Sequence, residues 1–119
     1  MILPDALIKE IEDNDFTVSR EDGIGNVYEF GKYSPEGQDF SFSVDTEDNI
    51  DYFLENIRAA YCDFDVSEEA SFWLDEDGHG QNGAPYDMKD LYEDMECCQD
   101  YIMELYHIVD NYRKEKSVA

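Results

Sequence analysis

The residues with the densest chemistry lie in "DEDGHGQNGAPYDMKDLYEDMECC", residues 75–98: three consecutive acids, one histidine among glycines, further acids, and paired cysteines. A calcium loop needs acids at alternating positions, a glycine at the sixth and a glutamate at the twelfth. With Gly78 as the sixth, Asp75 and Asp77 fit, but the first position is Trp73 and the twelfth is Ala84, so the pattern fails at both ends. Zinc requires grouped Cys and His ligands, and Cys97, Cys98 and His107 on one helix do not make a tetrahedral set. A nucleophile paired with a base would need Cys or Ser beside His. His79 belongs to a glycine turn and His107 to a helix flank, so no catalytic residue is assigned and no metal or cofactor is expected. The stretch reads as a glycine hinge that launches a long helix.

Carboxylates are the one chemistry present in quantity. The 119 residues hold 31 acids and 8 bases, a net charge of −23. Tyr33–Tyr112 carries 22 of the acids with only Arg58 and Lys89 as bases, while Arg113, Lys114 and Lys116 gather near the end. A surface of this sign repels phosphates, which excludes direct nucleic-acid binding, and it attracts cations and basic protein surfaces. Duplex DNA carries one negative charge per about 1.7 Å of its axis. A folded ridge of carboxylates can therefore occupy a cleft shaped for DNA; plain solubility is the competing explanation of the same composition.

An apolar fraction of 42%, with 14% aromatics, supplies enough burial for one ordered domain, 1–119. Three cysteines without framework spacing, no leader-like segment and no membrane-length apolar run lead to the expectation of a reducing cytoplasm and no membrane contact.

The elements that position the acids follow from periodicity. "LPDALIKEIED" (residues 3–13) reads as a helix with Leu3, Leu7, Ile8 and Ile11 on one face. "DFTVSRED", "NVYEFGKY" and "DFSFSVD" read as strands, the last placing Phe40, Phe42 and Val44 opposite Ser41 and Ser43. "SPEGQ" is a turn, and the three strands make an antiparallel meander with one wet face. "TEDNIDYFLENIRAAY" is a helix capped by Thr46 or Asp48, with Ile50, Phe53, Leu54 and Ile57 inward. "FDVSEEASFWLDED" is a short helix capped near Asp65 or Ser67, burying Phe72, Trp73 and Leu74. The last helix spans about 87–114, with Asp87 as its cap and Asp90 in its first turn. Its apolar residues Met88, Leu91, Met95, Cys98, Ile102, Leu105, Val109 and Tyr112 alternate steps of three and four. That seam is expected to pack inside the chain. The alternative is an accessory module of a mobile element that binds a partner or itself through this helix. The fold class is α+β, in the order αβββααα.

The succession "DALIKEIEDNDFTV", "EGQDFSFSV" and "NIDYFLENI" resembles the small acidic prophage anti-CRISPR inhibitors of type II-A Cas9. The likeness rests on an LI-x-E-I helix leading into an aromatic-Thr-Val strand, an acid–Gly–amide–acid–aromatic turn, and the amphipathic helix after it. It covers residues 5–57. The resemblance implies a helix, three strands and further helices, imitation of the PAM duplex, and a surface that faces the arginines reading it. It assigns that surface to Asp15 and to Glu36, Gly37, Gln38 and Asp39, with Glu68 and Glu69 as an extension. From Gly78 onward there is no counterpart. "WLDEDGHGQNGAPYD" resembles instead a motif of uncharacterised small acidic proteins from Gram-positive bacteria and their mobile elements. The expected partner is thus the basic cleft of a Cas9-like nuclease, a restriction enzyme or another DNA-binding protein, with this chain as monomer or homodimer.

Overall fold

The structure, a computed structural model, describes residues 1–23, 25–74 and 88–118. The order is α1 (Asp5–Asp13), β1 (Thr17–Arg20), a 3-10 turn (Glu21–Gly23), β2 (Val27–Tyr33), β3 (Asp39–Asp45), α2 (Ile50–Asp63), α3 (Val66–Leu74) and α4 (Met88–Val118). This is the expected α+β architecture.

The helix α1 begins after Pro4, whose fixed φ of −61° suits the entry. Leu7 and Ile11 lie on its buried face, and Leu3, just ahead of the helix, is buried in the same core. Asn14 ends it, and Asp15, at a φ of 70°, turns the chain into β1. The strands form an antiparallel sheet in the order β1-β2-β3. Thr17 pairs with Gly31, and Gly31 with Ser41; Tyr33 pairs with Asp39. Alternation along the strands does the sorting. Tyr28, Phe30, Phe40 and Val44 are buried, whereas Ser19, Glu29, Tyr33, Asp39, Ser41 and Ser43 face out. The β2–β3 connection is a tight turn: the Gly37 N–H donates to the Ser34 carbonyl at 2.9 Å, and the Ser34 N–H donates to the Gln38 carbonyl at 2.8 Å. Gly37 holds a φ of 88°, a left-handed conformation that its missing Cβ permits.

The cap of α2 differs from both expected residues. Asn49 accepts the Tyr52 N–H at 3.0 Å. Thr46 is fully buried instead, its hydroxyl donating to the Met1 carbonyl at 2.5 Å. An interior hydroxyl takes the nearest carbonyl, and the residue bordering the helix takes the cap. Asp65 caps α3 by accepting the Glu68 N–H at 3.1 Å. Asp87, the expected cap of α4, and the side chains of Phe72, Trp73 and Leu74 lie outside what is described.

With 31 residues, α4 is about 46 Å long, close to the 50 Å longest dimension of the molecule. It packs along α1, α2 and α3, while α1 and α2 lie on the sheet. The seam from Leu91 to Tyr112 is buried at every expected position, Cys98 included. Its apolar face is therefore used in the chain's own core, around Phe30, Phe53 and Ile57. Among the described residues no helix is long and apolar enough to cross a membrane.

Candidate protein-docking surface

Helices cover one face of the sheet and leave the other open. On the open face lies a groove of about 370 Å³, lined by Asp15, Thr17, Glu29, Gly31, Tyr33 and Asp39 among others. Its floor depends on Gly31. A Cβ there would come within 2.6 Å of Thr17 Oγ1, so a larger residue fits only if the Thr17 side chain moves. Asp15 bounds the groove beside β1, and Asp39 bounds it at the start of β3. Tyr33, the cross-strand partner of Asp39, is 67% exposed between them. An exposed tyrosine among carboxylates offers a guanidinium both a ring face and acceptors.

The one base against this groove is turned away from it. Lys32 Nζ donates to Glu104 Oε1 at 2.6 Å and to the Asn14 carbonyl at 3.0 Å. It also lies 4.8 Å from the Phe16 ring centroid and 4.7 Å from that of Tyr101. Its charge is thus met by Glu104 on the helix-covered side of the sheet. Among the described residues no lysine or arginine forms an ion pair with Asp15, Glu29, Glu36 or Asp39.

The residues assigned to a partner surface are not on one face. Asp15 and Asp39 share the sheet groove. Glu36, exposed at the tip of the turn, faces α4 and lines a separate groove with Asp90, Glu93 and Asp94. Gly37 shapes the turn. Gln38 departs from the expectation: it is fully buried, its N–H donating to Ser34 Oγ at 2.9 Å and its carbonyl accepting the N–H of Phe40 at 3.0 Å. The tight turn points the residue after Gly37 inward, so Gln38 braces the hairpin from within. Glu68 is exposed and Glu69 half-buried on the first turn of α3. Burial, then the charges of Glu68 and Asp65, pushes the Glu69 carboxyl above the ordinary glutamate range. Glu69 and Asp94 both bear on the buried Cys98, whose thiol is pushed far up, first by desolvation. That cysteine is inert as a nucleophile at neutral pH.

Three contributors escaped the sequence reading. Glu29 and Tyr33 alternate with Tyr28 and Phe30, and this period of two already placed them on the open face. Asp94 stands three residues after Leu91 and four before Cys98, so helical spacing put it on the buried flank of α4. Comparison of the chain with protein-family models, with curated proteins and with solved structures finds no match.

Proposed function

We propose that this protein is a non-enzymatic acidic inhibitor that occupies the basic DNA cleft of a bacterial DNA-binding defence protein, a Cas9-like nuclease or a restriction enzyme. One observation carries the reading: the sheet face left open by the helices bears Asp15, Glu29 and Asp39 without ion-pair partners, while the nearest base, Lys32, is held by Glu104 on the inside. Each free carboxylate stands where a phosphate oxygen would, accepting charge-assisted hydrogen bonds from arginine or lysine of the cleft. The sheet supplies a rigid backing, which lowers the entropy lost on association. Long-range attraction between the −23 chain and a basic cleft accelerates encounter and makes binding fall with ionic strength.

The test is competition. The chain is titrated against a type II-A Cas9 and a set of restriction endonucleases bound to fluorescent target DNA, at low and at high salt. DNA release by at least one enzyme, weakening steeply with salt, is the expected result. Absence of release from every enzyme at low salt would overturn the proposal, as would release that ignores ionic strength.

A further inference from the structure

The sheet has two edges, and they differ. β1 is four residues long and packs beside α1. β3 has seven residues, and the ladder decides which of its backbone groups face away from the sheet. Hydrogen-bonded and non-bonded pairs alternate along an antiparallel ladder. The Ser34 N–H donates to the Gln38 carbonyl at 2.8 Å, and the Thr46 N–H donates to the Asn26 carbonyl at 2.9 Å. These two pairs continue the β2–β3 register one step beyond each end. Counting by twos between them, Phe40, Phe42 and Val44 turn their backbone groups to β2, while Asp39, Ser41, Ser43 and Asp45 turn theirs to the edge. The Asp45 carbonyl agrees with this phase, since it accepts the Asn56 side-chain N–H at 2.9 Å from α2. Among the described residues nothing bonds the outward N–H and carbonyl groups of Ser41 and Ser43. Both residues are exposed. On the helix side of the same strand, Phe40 and Val44 are buried, but Phe42 between them is only half-buried.

We propose that the β3 edge takes an extended segment of the partner protein as a fourth, antiparallel strand, with lysine or arginine at positions six apart facing Asp39 and Asp45. The proposal rests on the reading that the partner presents a basic surface, and it names how part of that surface is held. An open strand edge is a template for a further strand: main-chain bonds hold it, and alternate side chains select it. Residues opposite Ser41 and Ser43 would exchange backbone hydrogen bonds with them. Every second side chain of the added strand would lie on the open sheet face, where Asp39 and Asp45 flank the two serines. Those end positions call for positive charge, because opposite charges stabilise a cross-strand pair and like charges destabilise it. The middle residue would fall on the other face, against the exposed part of Phe42, and an apolar side chain suits it. A second copy of this chain is disfavoured by the same rule. Two β3 strands paired about Phe42 would set Asp39 against Asp45 at both ends, between chains of net charge −23. The added strand would also border the sheet groove, which Asp39 and Ser41 line.

The experiment titrates a capped heptapeptide, Lys-Thr-Ser-Val-Ser-Thr-Lys amide, into the full chain and follows the Ser41 and Ser43 amides by NMR. Both are expected to shift downfield saturably and to exchange more slowly with solvent. Methylating the peptide nitrogens at its two serines keeps the charge but removes the donors aimed at β3, and is expected to weaken binding about tenfold. Glutamate in place of both peptide lysines should abolish it. Ser41→Pro removes an outward N–H, a position where an edge strand tolerates proline, and should weaken binding by a similar factor. Should that variant not fold, Asp39→Asn with Asp45→Asn keeps every backbone group and is expected to weaken binding about fivefold. Equal binding of the methylated peptide would overturn the proposal, as would equal binding of the glutamate peptide. Slowed exchange at Ser41 and Ser43 that grows with protein concentration alone would overturn it too, by assigning the edge to a second copy. The nuclease competition separates the two ideas. DNA release without any peptide response at the edge sinks strand addition alone; a saturable edge response without DNA release upholds strand addition and sinks the nuclease reading.

Discussion

The two ends of the molecule carry the same side chains in opposite circumstances. At the C-terminal end of α4, Asp51 and Asp110 are neutralised: Arg113 reaches Asp51 at 2.8 Å and Asp110 at 2.7 Å, and Lys114 reaches Asp110 at 3.0 Å. The hydrogen bond from Lys114 is the main cause holding the Asp110 carboxyl below its ordinary range. At the hairpin end, Asp15, Glu29, Glu36 and Asp39 have no such partners among the described residues. The first set serves the fold. The second set adds self-repulsion to it, and contributes a field available to a partner. The lesson is that net charge locates nothing; the distribution of the few bases does.

The largest effect should come from inverting the unpaired set. Asp15→Lys with Asp39→Lys is expected to weaken binding to a susceptible nuclease by about 100-fold, through like-charge contact with the cleft. Asp51→Lys at the paired end should leave that binding within error while lowering the melting temperature. Competition titrations and thermal scans on both variants read the contrast directly, and equal losses of binding at the two ends would break it.

A smaller effect is expected where one base serves the interior. Lys32→Met removes the contacts to Glu104, Asn14, Phe16 and Tyr101 together, and should cost about 1–3 kcal/mol in urea unfolding. Its removal leaves the open-face acids in place, so inhibition should survive at temperatures where the variant remains folded. Loss of inhibition without loss of stability would mean that Lys32 acts at the surface after all.

The smallest effect concerns Glu69, whose carboxyl is raised by burial and by Glu68 and Asp65. A raised folded value means that the folded chain holds this proton more tightly than the unfolded chain. The stability linked to it is complete below the ordinary glutamate range and is lost as pH rises through the folded value. Glu69→Gln is therefore expected to stabilise at neutral pH, by no more than about 0.5 kcal/mol after solvent screening. The gain should shrink as pH falls, and thermal melts across the acid range would show it. A stabilisation independent of pH would assign the effect to packing.

Much of the fold was legible because it depends on local periodicity. The alternation of Phe40, Ser41, Phe42, Ser43 and Val44 fixes a two-faced strand wherever it is placed. The three-four spacing from Leu91 to Tyr112 fixes one buried face on a long helix. Pro35 and Gly37 mark a turn by the conformations they allow. The candidate site was legible only in part. Asp15 and Asp39 line one groove on the sheet, but Glu36 turns to α4 and Gln38 turns inside, because one residue of register reverses the face that a side chain takes.

By itself, then, the sequence determined the element types, the buried seam, the wet sheet face and a preponderance of acid that repels phosphates. These follow from residue identity and spacing along the chain. Only the tertiary structure decided which acids stay unpaired, that Lys32 spends its charge on Glu104 seventy-two residues away, and that Asp94 leaves one oxygen unmet beside Glu36. Ion pairing and desolvation act through space over a few ångströms, and the partners that settle them come from distant parts of the chain.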